Sequence, residues 1–126
     1  MENLENYKVL LIDDHQLSRK LLSKQLELFG FSNIDFCMNG QEGYEQMQRQ
    51  SYDIVVFDWA MPVMSGLEFF KKLRENNHTD KKAFVMVSAE AQPQKILEAI
   101  ECGISNYITK PADQAQINQK MTDAIQ

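Results

Sequence analysis

The chain has 126 residues, a net charge of −5, 44% hydrophobic residues and 25% charged residues. This length allows one domain with a single core and excludes two. Basic residues are scattered, which predicts no nucleic-acid partner. The apolar runs are too short to cross a bilayer, which predicts no membrane partner. The acidic start MENLENYK does not resemble a secretory signal, so we expect a cytoplasmic protein.

Short apolar runs alternate with amphipathic stretches along the whole chain. The predicted strands are residues 8–13, 33–37, 54–58, 83–88 and 106–109. The predicted helices are 16–29, a helix capped by Asn39 that ends near Arg49, a helix capped by Ser65 that ends at Glu75, a helix from Pro93 that ends at Gly103, and 113–125. In the first of these helices the residues that recur at helical spacing are Leu17, Leu21, Leu22, Leu28 and Phe29. The third has a predicted buried stripe of Leu67, Phe70 and Leu73, and the fourth carries Ile96, Leu97 and Ile100.

This alternation predicts an α/β protein of five β-α units. Such units form a parallel sheet with helices on both faces and right-handed crossovers, a three-layer (βα)5 sandwich. No linker or repeat interrupts the pattern, so we expect residues 1–126 to form one domain with nothing attached to it.

Polar side chains follow four of the predicted strands. The residues are Asp13, Asp14, Asp58, Ser88 and Lys110. Ligands of open parallel sheets bind at the carboxyl edge, so we expect these five side chains to gather there. Any one of them alone is more simply interpreted as a helix cap, a turn residue or a solvated lysine, and the joint pattern favours a site.

Three neighbouring carboxylates need a cation or a proton. At about 4 Å and an effective dielectric constant near 20, each like-charged pair costs on the order of 4 kcal/mol. Carboxylates and waters suit Mg²⁺, and Mg²⁺ suggests phosphoryl chemistry. Asp58 can then act as a nucleophile that forms an aspartyl-phosphate, with Lys110 and the Ser88 hydroxyl binding phosphate oxygens.

Four segments carry a family resemblance: LLIDDH, FDWAMPVMSGLEFFKKLR, VMVSAEA and NYITKP. From end to end the chain resembles the receiver domains of response regulators, with DW and SAEA similar to their CheY-like chemotaxis branch. The resemblance implies a flavodoxin-like sheet in the order 2-1-3-4-5. It also implies a two-component phosphoprotein that is not an enzyme beyond its own phosphorylation and dephosphorylation.

The resemblance assigns a role to each site residue. It implies that Asp58 is the phosphoacceptor and that Lys110 binds the phosphoryl group. It implies that Mg²⁺ is bound directly by Asp14, Asp58 and the Ala60 backbone carbonyl, and through water by Asp13. It further implies that Ser88 and Tyr107 are the switch residues. His15 is not among the family's metal ligands. The bond between Lys110 and Pro111 is expected to be cis.

The resemblance also implies partners and a switch. The expected phosphodonor is a CheA-like sensor histidine kinase, and phosphorylation would draw in Ser88 and let Tyr107 rotate inward. The face formed by the fourth helix, fifth strand and fifth helix, with Ile96 and Tyr107, would then contact a partner such as a flagellar motor switch protein. The chain departs from the family pattern at two positions. Ala60 lies where many relatives have a polar side chain, which puts the dephosphorylation rate in question. Ala112 lies where an aromatic residue is common.

Other interpretations remain open at this stage. Tyr107 can be a packing residue with its hydroxyl in water, and the output can be another signalling enzyme or a phosphate sink. A haloacid-dehalogenase-type phosphatase would need DxD after the first strand, where this chain has DDHQ. A flavodoxin-like flavin carrier would need a Ser/Thr/Gly-rich loop in that place. Cys37 and Cys102 lack metal-ligand or CxxC spacing and are expected to be small, reduced core residues.

Overall fold

The computed structural model describes residues 3–76, 78–79 and 82–126 of the chain. Within these residues, a short 3-10 turn at Leu4–Asn6 precedes five strands that alternate with five α-helices. The strands are β1 (Lys8–Ile12), β2 (Asn33–Cys37), β3 (Ile54–Phe57), β4 (Ala83–Ser88) and β5 (Asn106–Thr109). The helices are α1 (Gln16–Phe29), α2 (Gly40–Arg49), α3 (Gly66–Glu75), α4 (Pro93–Glu101) and α5 (Gln114–Ala124). None of the helices in the described residues is both long and apolar enough to cross a membrane.

The five strands form one parallel sheet in the order β2-β1-β3-β4-β5. This confirms the predicted flavodoxin-like topology. Ile12 pairs with Phe57, and Ser88 pairs with Thr109, so the carboxyl ends of β1, β3, β4 and β5 lie along one edge. The strand order reverses between β1 and β3, which is where open α/β sheets bind ligands.

Strands β1 and β3 end one residue earlier than predicted, before Asp13 and Asp58. Both acids still donate a backbone N–H to a neighbouring strand, from Asp13 to the Cys37 carbonyl and from Asp58 to the Ile12 carbonyl, each at 3.2 Å. The backbone is therefore fixed to the sheet up to each of these two acids.

The predicted caps at Asn39 and Ser65 are confirmed, and Asp113, predicted as the first residue of the last helix, is its cap. The side chains of Asn39, Ser65 and Asp113 each accept a hydrogen bond from a backbone N–H in the first turn. Ser65 and Asp113 also form reciprocal capping boxes with Glu68 and Gln116. Because the Ser65 cap fixes the start of α3, it also fixes the end of the loop that follows Asp58.

The core lies on both faces of the sheet, and the predicted α3 stripe of Leu67, Phe70 and Leu73 is buried. The leucine pattern of α1 was misleading, because its apolar residues divide between two faces of the helix. The face that is buried carries Leu22, Gln25 and Leu26. The residues of the other face, Leu17, Leu21 and Leu28, are 74%, 56% and 64% exposed. In α4, likewise, Ala99 is buried whereas Leu97 and Ile100 are exposed.

Candidate functional site

The ammonium group of Lys110 joins two carboxylates at the carboxyl edge of the sheet. Its Nζ atom lies 2.8 Å from Asp58 Oδ2 and 3.0 Å from Asp13 Oδ2. Lys110 and Asp13 are 97 positions apart in the sequence, and the parallel sheet brings them together with Asp58. Burial lowers the pKa of Lys110, but the hydrogen bonds and negative charges of Asp58 and Asp13 outweigh it, so that the pKa lies above its ordinary value. The lysine is therefore a fixed positive charge.

Asp13 is the anchored member of this group. Its side chain is 1% exposed, and both carboxylate oxygens accept hydrogen bonds from the start of α1. The His15 N–H donates to Oδ1 at 2.9 Å, and the Ser18 hydroxyl donates to Oδ2 at 2.7 Å. Arg19 donates to the Asp13 backbone carbonyl at 2.9 Å. With its acceptor positions occupied, Asp13 serves mainly to hold Lys110 and α1 in place.

Asp58 is the more accessible of the two carboxylates. Its side chain is 13% exposed, and Oδ2 accepts the Lys110 hydrogen bond. Among the described residues, the other oxygen, Oδ1, accepts one long bond of 3.3 Å, from the Ala60 N–H. Asp58 therefore keeps one carboxylate oxygen weakly bound and open to a reacting group.

Gly66 lets the loop after Asp58 fold tightly against it. A Cβ atom at this position would overlap the Asp58 carbonyl oxygen and lie 3.0 Å from the Trp59 Cα. The Gly66 N–H donates to the Trp59 carbonyl at 2.8 Å, which closes the loop. At Val63, inside this loop, the backbone has a φ of 72°, an unusual conformation for a β-branched residue.

The predicted switch residues lie beside the acids, and Glu90 connects them. Ser88 is buried, and its Oγ accepts a bond from the Glu90 N–H at 3.3 Å. The Tyr107 hydroxyl donates to the Glu90 carbonyl at 2.7 Å, and the residue is 8% exposed. The interpretation that leaves this hydroxyl in water is therefore wrong. Burial raises the pKa of Tyr107, a hydrogen bond with Ser88 opposes that rise, and the negative charges of Glu90 and Asp58 add to it.

Asp14 does not take part in the lysine bridge. It is exposed, and in the part of the chain that the structure describes no three His, Cys, Asp or Glu side chains form a group that could hold a metal ion. The donor chemistry still suits Mg²⁺, because the carboxylates of Asp14 and Asp58 and the Ala60 carbonyl are hard oxygen ligands. Asp13 has little capacity left for direct coordination, which agrees with its expected role through water. The ligand set itself stays a prediction.

Several contributors to this region had no strong signal in the sequence. Gly66 could have been suspected only as a glycine that follows a helix cap, and Glu90 only as an acid near the start of a helix. Glu90 also accepts bonds from the N–H groups of Ala91 and Gln92 at the start of α4. Gln25 had a clearer signal, because it is a polar residue between Leu22 and Leu26 on a buried stripe.

The sequence matches the response regulator receiver domain family over residues 9–122. It is 31% identical over 117 residues to the chemotaxis protein CheY-3 of Vibrio cholerae serotype O1, covering 93% of this chain and 90% of that protein. It is 35% identical over 111 residues to a probable chemotaxis protein CheY of Rhizobium etli, covering 88% and 86%. The chain therefore belongs to the receiver domain family of two-component systems, and its curated relatives include CheY-type chemotaxis proteins.

Solved structures agree with this assignment. The structure of the chemotaxis response regulator CheY4 of Vibrio cholerae superposes with a TM-score of 0.84 at 26% identity, covering 94% of this chain and 98% of that one. The receiver domain of the sensor histidine kinase PA1611 of Pseudomonas aeruginosa, which is described with magnesium coordinated in its active-site cleft, also has a TM-score of 0.84. At 19% identity it supports the fold alone.

Proposed function

We propose that this protein is a CheY-like receiver that accepts a phosphoryl group on Asp58 from a histidine kinase. The observation that carries the proposal is the lysine bridge, in which Lys110 Nζ binds Asp58 at 2.8 Å while Asp13 holds the same ammonium at 3.0 Å. This arrangement presents one open carboxylate oxygen beside a fixed positive charge. A nucleophile and a cation so placed suit phosphoryl transfer to a carboxylate.

In the proposed step, Asp58 Oδ1 attacks the phosphorus of a phosphohistidine. A new O–P bond forms, the N–P bond breaks, and the imidazole leaves with the bonding electron pair and takes up a proton. Lys110 faces the charge that collects on the phosphoryl oxygens, and the Ser88 hydroxyl can donate to one of them. Hydrolysis of the aspartyl-phosphate returns Asp58 and inorganic phosphate.

We assign Mg²⁺ as the cofactor, held directly by Asp14, Asp58 and the Ala60 carbonyl and through water by Asp13. When bound, the ion supplies positive charge to the phosphoryl oxygens, which complements the charge of Lys110. Asp13 keeps the lysine in place, and Asp58 provides the attacking oxygen.

We infer that phosphorylation acts on the output face through Ser88, Glu90 and Tyr107. The Tyr107 ring is already buried, with its hydroxyl on the Glu90 carbonyl, so no inward rotation is needed to fill that space. A phosphoryl group that attracts Ser88 would move the Glu90 segment, whose side chain accepts bonds from Ala91 and Gln92, the two residues that lead into α4. Ile96 on α4 and Tyr107 on β5 belong to the face that we propose as the partner contact.

A labelling experiment tests the proposal. The purified protein is incubated with acetyl phosphate and Mg²⁺, and the covalent phosphoryl group is measured by mass spectrometry. We expect stoichiometric labelling of the unmodified chain and none in Asp58→Asn, in which the amide cannot act as the nucleophile. Asp53→Asn is the matched control, because Asp53 lies at the opposite end of β3 and should not affect labelling. Undiminished labelling of Asp58→Asn would refute the assignment of the phosphoacceptor.

A further inference from the structure

Gln25 is one of three buried polar or charged residues in the described part of the chain. The other two, Asp13 and Ser88, already belong to the candidate site. Gln25 is 7% exposed and lies on the same buried face of α1 as Leu22 and Leu26. A buried amide is unfavourable unless it forms hydrogen bonds, so its partners indicate its purpose.

The partners of Gln25 connect α1 to the loop that carries Lys110. Its Nε2 donates to the Ala112 carbonyl at 2.8 Å. In return, Gln114 at the start of α5 donates from its Nε2 to the Gln25 carbonyl at 2.9 Å. Two hydrogen bonds therefore tie α1 to the segment that follows Lys110.

This segment has few other restraints. On its upstream side, the Lys110 N–H donates to the Ser88 carbonyl at 2.8 Å. Pro111 has no N–H to donate, and among the described residues no other hydrogen bond engages the backbone of Pro111 or Ala112. Ala112 offers only a methyl group and borders a cavity of about 770 Å³ that Leu21, Gln25 and Pro111 also line. Ala112 also packs against the core cluster that includes Leu22 and Ile117, and the Gln25 amide supplies the hydrogen bond that holds its carbonyl.

We propose that Gln25 is a positioning residue for phosphoryl transfer, which holds the Ala112 carbonyl so that the Lys110 ammonium stays against Asp58 and Asp13. This inference rests on the proposed function. Its physical basis is that a cation contributes to transfer only while it remains where the charge develops, so that a shift of its supporting loop slows the reaction.

The experiment compares Gln25→Met with the unmodified chain. Methionine keeps the length and approximate volume of glutamine but removes the amide donor. With acetyl phosphate and Mg²⁺, we expect Gln25→Met to be labelled about threefold to tenfold more slowly, the effect of one lost hydrogen bond. Gln25→Asn, which keeps the amide but shortens its reach, should change the rate in the same direction. Leu26→Met, on the same buried face, is the control and should leave the rate unchanged.

A double-mutant cycle separates positioning from a general structural effect. In a Lys110→Met background, adding Gln25→Met should cause no further slowing, because the group that Gln25 positions is absent. An unchanged rate in Gln25→Met, or the same fold-reduction with and without Lys110, would overturn the inference. Urea unfolding of each variant verifies that the fold is intact. Failure of the unmodified chain to be labelled would instead refute the proposed function, so the two failures can be told apart.

Discussion

Lys110 is the residue on which the electrostatics of the site depend. Asp13 is almost fully buried, Asp58 is mostly buried, and the shared ammonium compensates both charges. A buried charge that loses its partner is costly, because the remaining group can neither reach water nor find another counter-charge. The lysine therefore serves stability and phosphoryl binding at the same time.

Replacing Lys110 with methionine should affect both properties. We expect the free energy of unfolding to fall by about 1–3 kcal/mol at pH 7, because Asp13 and Asp58 are left facing each other. We expect labelling by acetyl phosphate to slow at least tenfold, because a fixed positive charge at the phosphoryl oxygens is lost. Urea unfolding and the initial rate of labelling measure the two effects.

Lys20→Met provides the comparison for this prediction. Lys20 is an exposed lysine on α1, so its replacement should change the stability by no more than about 0.5 kcal/mol and leave labelling intact. Equal stabilities of Lys110→Met and the unmodified chain would contradict the role of the bridge.

The sequence predicted which residues share this edge but not how they pair. Asp13 and Asp14 are adjacent in the sequence and lie just after the end of β1. Only Asp13 turns inward to Lys110, whereas Asp14 is exposed. No sequence pattern shows which of two neighbouring acids points inward, because that depends on where the sheet ends and the loop begins.

At the scale of elements, the loop between β3 and α3 shows how backbone packing supports the site. Its start carries Asp58, its end is fixed by the Ser65 cap, and the two come close only because residue 66 is glycine. The loop accommodates a positive φ at Val63 within this short closure. A change at Gly66 therefore acts on Asp58 without touching its side chain.

We expect Gly66→Ala to displace Asp58 and to be harmful. The added Cβ would overlap the Asp58 carbonyl oxygen, which is backbone and cannot rotate away. Crowding of this kind costs about 1–3 kcal/mol or more, and the displaced carboxylate should label at least tenfold more slowly. Urea unfolding and labelling with acetyl phosphate are the measurements.

Ser65→Ala tests whether the loss is specific to Gly66. It removes the α3 cap, at a cost of about 1 kcal/mol, without adding an atom near Asp58. We expect Ser65→Ala to lower stability while labelling stays within about threefold. A Gly66→Ala protein that labels as fast as Ser65→Ala would show that the close approach is dispensable.

Element types and boundaries could be predicted well because their signals are local. Caps at Asn39 and Ser65 depend on a few neighbouring residues, and the structure confirms both of them. The last helix begins one residue later than predicted, with Asp113 as its cap. The buried face of α1 could not be identified in the same way. Its leucines fall on two faces, and tertiary packing buries the one that includes the polar residue Gln25.

At the scale of the whole molecule, the fold was predictable because the alternation of strands and helices permits few parallel topologies. The polar network around Tyr52 could not be predicted in this way, because it joins residues from separate elements. Tyr52, which is 1% exposed, donates its hydroxyl to Asp35 on β2 at 2.6 Å and accepts from Gln46 on α2 at 2.9 Å. We expect this network to make the stability of the fold depend on pH in the alkaline range.

Burial raises the pKa of Tyr52 from 10.0 to about 12, and the hydrogen bond to Asp35 adds to the rise. A raised pKa means that the folded protein retains a proton that the unfolded chain releases, so stability is fully present below pH 10 and is lost as pH rises toward 12. Tyr52→Phe should therefore flatten the decline of the urea midpoint between pH 10 and 12. At pH 7 it should cost about 1 kcal/mol, because Asp35 and Gln46 lose their partner.

Cys37→Ala offers a comparison in a different pH window. Burial raises the pKa of the Cys37 thiol from 9.0 to about 11, and the charges of Glu42 and Asp35 add to the rise. Because this pKa is also raised on folding, ionisation of the cysteine lowers the stability as pH rises from 9 toward 11. Cys37→Ala should therefore flatten the decline of the urea midpoint in the lower part of the alkaline range, and Tyr52→Phe should flatten it in the upper part. If Tyr52→Phe followed the same decline as the unmodified chain between pH 10 and 12, the tyrosine would ionise equally in the folded and unfolded states. The proposed coupling between this network and alkaline stability would then be wrong.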